Sequence, residues 1–438
     1  MQRISVVGSG YLGVTHAAGL AELGCEVVGL DLDEAKVARL ARGELPFHEP
    51  GLAELVREHV TSGRLRFTTS YDEAAEFADV HFLCVNTPQQ PGGEVADLSH
   101  LEAAVHRLVP LLRRECLLVG KSTVPVGTAA RLAGVVADLA PAAVAVRLAW
   151  NPEFLREGHA VADTLSPDRI VLGVTGQESE KVLRDVYAPL ADAGVPFVVT
   201  DLATAELIKS AANAFLATKI SFINAMAEVC EVAGADVTLL AKGLSYDPRI
   251  GDRFLDAGLG FGGGCLPKDI RAFAARAEEL GVGDALSFLR EVDSINLRRR
   301  ARAVHLVREQ CGGTLDGRRV AVLGGAFKPD SDDIRDSPAL HVAEELRRGG
   351  AEVTAYDPVA NDNIRRHHPA LVCADTVEDA CAGADAVVLA TEWAQFREVD
   401  PEALGTVVAH RHVVDARNAL DPERWRRASW DYRALGRR

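Results

Sequence analysis

Cys265 stands in the run Phe261-Gly262-Gly263-Gly264-Cys265-Leu266-Pro267-Lys268-Asp269, the stretch of this chain with the most reactive set of side chains. Three consecutive glycines let a backbone pass close to a ligand where a β-carbon would clash. Pro267 suits the first turn of a helix and predicts a helical run over Lys268 to Leu280. The thiol then lies just before a helix N-terminus and three residues from Lys268. Both features favour the thiolate, the nucleophilic form, which is scarce at an ordinary thiol pKa of about 8.5. The competing reading is a buried cysteine serving as a small hydrophobe. On this segment alone the two readings balance.

Other polar groups leave apolar runs in the same manner. Lys121-Ser122-Thr123-Val124-Pro125-Val126-Gly127-Thr128 follows one such run, and Asn151-Pro152-Glu153-Phe154-Leu155-Arg156-Glu157-Gly158 follows another. Glu153 and Glu157 are four apart and would share a face if that segment were helical. Lys209 and Asn213, also four apart, project from an otherwise apolar helical stretch, where a lysine is rare unless paired or functional. Each has a bland counterpart: Thr123 as a turn hydroxyl, the glutamates as surface charges, Lys209 as a snorkelling side chain.

Gly8-Ser9-Gly10-Tyr11-Leu12-Gly13 sits between an apolar strand and a helix. Its glycines permit a tight turn, approach of a pyrophosphate to backbone amides, and close helix–strand packing. Asp31 ends the next strand, where a carboxylate binds ribose hydroxyls, and no arginine follows to receive a 2′-phosphate. The motif therefore favours NAD over NADP. A flavin would share the fingerprint, but no second flavin feature accompanies it.

The elements that must position these groups alternate. Strands are expected at Ile4–Val7, Glu26–Leu30, Arg66–Thr68, Val80–Val85, Cys116–Gly120 and Val144–Ala149, with Ile170–Thr175 and Val195–Val199 extending the set. Helices are expected at Tyr11–Leu23, Leu52–Val60, Leu98–Leu112 and Thr128–Leu139. Nearly continuous apolar strands separated by helices indicate a parallel sheet covered on both faces. From Asp201 to Gly234 an alanine-rich stretch without internal proline or glycine predicts one long helix. So apolar a helix needs burial on several sides, by other helices or a second subunit. Helices follow at Val237–Lys242 and Ala285 to Glu309, and the arginines at 298–300 and 302 read as a solvated face. Beyond a Gly312-Gly313 linker, strands at Arg319–Leu323, Glu352–Tyr356, Ala386–Ala390 and His412–Val414 and a helix at Pro338–Arg347 restore the alternation. Gly324 and Asp357 echo Gly8 and Asp31. The expected fold is α/β: two Rossmann-like, doubly wound lobes around a helical middle, divided as 1–200, 201–310 and 311–438.

Composition bounds the function. The chain has 438 residues, 48% hydrophobic and 25% charged, too long for one ordinary core and typical of a soluble globular protein. Its aromatic content of 5% and net charge of −15 argue against nucleic acid or an anionic membrane as partner. An anionic ligand would need a locally basic site. The eight cysteines (25, 84, 116, 230, 265, 311, 373, 381) show no zinc spacing. With no leader or spanning run in the sequence, they read as reduced thiols of a cytoplasmic protein.

Together these segments resemble the UDP-glucose/GDP-mannose dehydrogenase family along essentially the whole chain. The shared motifs are GSGYLG at 8–13, STVPVGT at 122–128, NPEFLREG at 151–158, PDRIVLG at 167–173, KSAANAF at 209–215, RIGDRFLDAGLGFGGGCLPKD at 249–269 and FKPDSDDIRDSP at 327–338. Gly264, Thr164 and Ser331 depart from residues common in the family. The resemblance implies an NAD-dependent four-electron oxidation of a nucleotide sugar, UDP-glucose with GDP-mannose as the alternative, through a thiohemiacetal and thioester on Cys265. It implies that Lys209 and Asn213 act at the C6 oxygen, that Asp269 pairs with a catalytic water or with Lys209, that Thr123 helps to hold that water, and that Glu153 is the base for hydrolysis. By the same likeness NAD meets Gly8, Gly10, Leu12, Gly13, Asp31, Lys36, Thr87, Thr123, Glu157, Lys268 and Arg335. The sugar nucleotide meets Glu153, Phe154, Leu155, Lys209, Asn213, Phe254, Leu255, Asp256, Ala257, Gly258, Gly262 and Lys328, with Arg249 reaching in from a neighbouring subunit. At least a homodimer is implied, no metal is, and the last lobe would close over the site.

Overall fold

The computed structural model describes residues 2–437, so the outermost residues of the 1–200 and 311–438 blocks lie outside the description. The chain forms two compact units: one runs to Ala212 and includes Ala275–Gly281, the other comprises Asn213–Ala274 and the chain from Val282 onward.

The first unit holds eight strands: β1 (Arg3–Val7), β2 (Glu26–Leu30), β3 (Leu65–Thr68), β4 (Val80–Leu83), β5 (Cys116–Gly120), β6 (Val146–Trp150), β7 (Ile170–Gly173) and β8 (Phe197–Thr200). They lie in the order β3-β2-β1-β4-β5-β6-β7-β8. All neighbours are parallel except β6 and β7, which touch at the antiparallel pair Trp150 and Gly173. Successive residues of β1 feed opposite cores: Ile4 and Val6 pack on one face of the sheet, Val7 on the other. That two-sided burial is why the strands read as unbroken apolar runs.

The second unit repeats the plan with β9 (Arg319–Leu323), β10 (Glu352–Tyr356), β11 (Val372–Cys373), β12 (Ala386–Leu389), β13 (His412–Asp415) and β14 (Asp431–Ala434). Its order, β11-β10-β9-β12-β13-β14, is all parallel and matches the arrangement of the first six strands. Val320 and Val322 of β9 face one core, Ala321 and Leu323 the other.

Between the two sheets in sequence comes helix, foremost the 32-residue helix Leu202–Ala233. Ala217, Ile223 and Ala227 on it are fully buried, whereas Phe215, Phe222 and Val229, seven residues apart, are 66%, 49% and 58% exposed. The helices Val237–Ser245, Leu266–Glu279 and Phe288–Gln310 follow.

Two expectations fail. Residues 151–156 take no helical form, and the next helix begins only at Ala160, so Glu153 and Glu157 share no helix face. Pro152 bars its predecessor from the α region. The arginine run is a solvated face only in part: Arg298 is exposed, but Arg299 and Arg300 are 0% and 2% exposed and pair with Glu231 and Asp336. A partnered guanidinium can enter a core that an isolated one cannot.

Candidate active site

The glycine motif is shaped from inside the first unit. Gly8 has φ of +96°, and a β-carbon there would lie 2.8 Å from the Cys84 carbonyl oxygen. One on Gly13 would lie 1.7 Å from the Gly8 oxygen. Gly10 differs: its β-carbon would meet only Asn86 Oδ1, at 3.7 Å. The protein's own packing therefore leaves space over Gly10, at the start of helix Tyr11–Glu22, where a pyrophosphate would need it. Leu12 packs on the core beside it. Asp31 accepts from the amides of Ser9 (3.0 Å) and Asp33 (3.0 Å) and from Lys36 Nζ (2.9 Å). Burial works to raise its pKa, but Lys36 and the two amides hold the carboxyl below its usual range. The first loop thus carries a fixed carboxylate beside open amides, a set that fits a dinucleotide.

Thr87, buried after β4, donates from Oγ1 to the Thr123 carbonyl oxygen at 2.7 Å and so ties together the loops that leave β4 and β5. Past β6, Glu153 folds back on its own turn, accepting from the Leu155 amide at 2.7 Å. Its other oxygen lies 3.1 Å from Lys209 Nζ, and both side chains are largely buried. The Phe154 ring supports this ion pair, with Lys209 Nζ 5.4 Å from its centre and the Arg169 guanidinium carbon at 3.8 Å.

In the second unit Cys265 is exposed and immediately precedes helix Leu266–Glu279. Asp269, buried on the first turn of that helix, accepts from Asn213 Nδ2 at 2.6 Å and pairs with Lys268 Nζ at 2.5 Å. Asn213 sits one turn beyond Lys209 on the long helix. The glycine run packs on the Phe327–Pro338 loop. A β-carbon on Gly262 would lie 2.4 Å from the Asp336 oxygen, and one on Gly263 2.8 Å from the Phe327 ring. On Gly264 it would meet only the end of the Arg335 side chain, at 2.3 Å. Arg335 itself is bound to Asp333, and Lys328 Nζ lies 5.4 Å from the Phe327 ring centre. Of the stretch 254–258, Leu255, Ala257 and Gly258 are buried, Asp256 is exposed, and Phe254 adopts φ of +65°. The Gly258 amide is held by Asn224 Oδ1 at 2.9 Å. Arg249 is exposed and clasps Asp247 at 2.7 Å.

Three residues that support these groups went unread in the sequence. Glu49, buried, accepts from the amides of Gly158 (2.6 Å) and Ala160 (2.7 Å) and from the Tyr11 hydroxyl, tying the glutamate turn to the glycine motif. Glu206 takes the amides of Gly127 and Ala129, both at 2.7 Å, and caps a helix that has no capping side chain of its own. Lys121 is buried and donates to Asn151 Oδ1 at 2.9 Å. Glu206 left a trace in standing three residues before Lys209 on the same helix face, and Lys121 in opening the polar run after β5, where its place in the run assigned it no role of its own.

Known proteins match this arrangement along its length. Models of the UDP-glucose/GDP-mannose dehydrogenase family match as an NAD binding domain over 2–191, a central domain over 203–298 and a UDP binding domain over 321–422. The UDP-glucose 6-dehydrogenase of Rickettsia felis is 40% identical over 435 residues, covering 99% of this chain and 96% of that one. That of Rhizobium meliloti is 41% identical over 437 residues, covering 99% of each. A UDP-glucose dehydrogenase from Pyrobaculum islandicum superposes with a TM-score of 0.92 at 38% identity, over 100% of this chain and 98% of the other. A nucleotide fingerprint with an open second glycine, two sheets that share a six-strand order and matches of this extent converge: the chain belongs to the UDP-glucose/GDP-mannose dehydrogenase family and is an NAD-dependent dehydrogenase.

Proposed function

We propose that the protein oxidises the C6 alcohol of UDP-glucose to the carboxylate of UDP-glucuronate, with Cys265 as the nucleophile. The observation that carries this reading is the exposed Cys265 thiol at the start of the helix that bears Asp269, itself bonded to Asn213. NAD, when bound, supplies the hydride acceptor for each of two oxidations. Loss of a hydride and a proton from the C6 alcohol leaves an aldehyde. The Cys265 sulfur adds to its carbonyl carbon, which prevents escape of the aldehyde and gives a thiohemiacetal. Loss of a second hydride and proton gives a thioester. Water then attacks, the carbon–sulfur bond breaks, and thiol and carboxylate are released.

Lys209 and Asn213 stabilise charge on the C6 oxygen. Thr123 and Asp269 hold a water, and Glu153, already against Lys209, takes the proton of the water that cleaves the thioester. Residues 1–200 bind the cofactor, 201–310 carry the reacting groups, and 311–438 bind the UDP moiety, in a cytoplasmic enzyme. The apolar stripe Phe215, Phe222 and Val229 supports a homodimer built on the long helix, because a bare heptad stripe on a single chain invites a partner. Sedimentation of a monomer at micromolar concentration would refute that part.

The assay is NADH yield on limiting sugar nucleotide. Two NADH per UDP-glucose are expected, with Cys265→Ser losing steady turnover by at least about a thousandfold. One NADH per sugar, or an active serine variant, overturns the covalent route. Preference for GDP-mannose would move the substrate to the alternative.

A further inference from the structure

Lys121 is a charged group that the reaction scheme leaves unused. It follows β5, its backbone amide bonds the Leu83 carbonyl at 3.0 Å, and its side chain is buried. On the adjacent strand, Asn151 follows β6, its amide held by the Gly120 carbonyl at 2.8 Å. Lys121 Nζ bridges the two strand ends by donating to Asn151 Oδ1 at 2.9 Å. The same oxygen accepts the Tyr187 hydroxyl at 2.6 Å, and Asn151 Nδ2 donates to the Val171 carbonyl at 2.8 Å. Asn151 is thus pinned from three sides, and Glu153 stands two residues further along the same turn.

The surroundings select where the Lys121 charge can act. The Phe82 ring centre lies 6.0 Å from Nζ. Three titratable groups face it: the Cys84 thiol, the His16 ring and, through Asn151, the Tyr187 hydroxyl. Burial holds all three neutral, pushing Cys84 up to about 12, His16 well below its ordinary range and Tyr187 well above its own. The remaining groups that interact with Lys121 electrostatically are Glu153 and Lys209, already paired at 3.1 Å. Among the described residues this buried ammonium has only a neutral amide oxygen as hydrogen-bond partner, which is costly to keep, and an uncharged donor would pin Asn151 as well.

We propose that Lys121 is a positioning residue for the reaction: through Asn151 it fixes the turn that carries Glu153, and its charge biases the Glu153–Lys209 pair. The inference rests on the function proposed for that pair. Desolvation lowers the Lys121 pKa from 10.5 to about 8, and the Glu153 carboxylate opposes the fall. Its charge therefore changes within the range where a dehydrogenase is assayed.

Two variants of the full chain separate the roles, since Lys121→Gln keeps a donor without charge and Lys121→Met keeps neither. Both are expected to lower kcat at pH 7 by about tenfold or more, leave the KM for NAD within about twofold, and lose the wild-type inflection of kcat near pH 8. A Lys121→Gln enzyme with the wild-type kcat and pH profile overturns the proposal, and would leave Lys121 as a donor that merely fills its place. A second readout needs no activity. Between pH 8 and 10.5 the unfolded chain keeps a proton at Lys121 that the folded chain has lost, so wild-type stability rises with pH relative to Lys121→Gln. Parallel Tm curves across that window would also overturn the proposal. Failure of wild type to reduce NAD with UDP-glucose would instead count against the proposed function, with the Tm comparison still deciding the state of Lys121.

Discussion

The two sheets share one strand order, yet the acid at the end of the second strand does opposite work in each. Asp31 is partly open, and its three donors include a lysine side chain that can move. Asp357 is 1% exposed and saturated: Oδ2 accepts from Gly325 N (2.8 Å), Ala326 N (2.9 Å) and Trp393 Nε1 (3.2 Å), and Oδ1 from Val359 N (3.0 Å) and Ala360 N (2.9 Å). Both acids take the amide just after the first glycine, Ser9 in one lobe and Gly325 in the other, but in the second lobe the carboxylate also consumes the next amide, that of Ala326. The helices differ accordingly. In the first lobe a helix opens at Tyr11, directly after the motif, whereas in the second the next helix opens only at Pro338. One topology therefore yields a cofactor cradle in one place and a structural knot in the other, and side-chain saturation makes the difference.

Substitutions that treat the lobes alike should expose that difference. The largest effect is expected from Asp357→Ala, which strands five donors in a dry interior. It should cost about 3–5 kcal/mol in chemical denaturation and leave NAD binding to surviving enzyme intact. A loss below about 1 kcal/mol would dissolve the contrast. Next comes Asp31→Ala, which should raise the KM for NAD about tenfold or more and change stability by less than about 1 kcal/mol. An unchanged KM would remove Asp31 from the cofactor site. Smallest in stability is Gly10→Ala, whose new methyl meets only Asn86 Oδ1 at 3.7 Å. Its Tm should stay within about 2 °C while its KM for NAD rises, because the methyl intrudes on ligand and not on protein. Gly324→Ala is the control: φ there is +109° and a β-carbon would sit 2.4 Å from Thr391, so stability falls.

Much of the scaffold was legible because its signals are local. The bounds of β2, β5 and the helix Thr128–Leu139 follow from apolar runs closed by glycine or polar residues, and the long helix from the absence of breakers over Leu202–Ala233. Short elements such as β11 and β14 were not legible, since two to four residues carry too little pattern. The polar support of the site was hidden for a different reason. Glu49 meets Gly158 and Ala160 across more than a hundred residues, Glu206 meets Gly127 across 79, and Lys121 meets Asn151 across 30. Arg299 and Arg300 misled because their partners, Glu231 and Asp336, likewise lie far along the chain. A spacing argument sees neighbours in sequence, and these bonds are long-range.

The distribution of sulfur has a practical consequence. Cys25, Cys84, Cys116, Cys230, Cys311 and Cys381 are buried, and burial raises the pKa of each. Cys373 is half-buried and likewise raised, which leaves Cys265 as the exposed one. A mild alkylating reagent applied near neutrality would therefore find its mark at position 265 long before the others. If Cys265 is the nucleophile proposed above, the stoichiometry of incorporated label would count competent molecules in a preparation, and protection by a sugar nucleotide would report occupancy with no turnover needed.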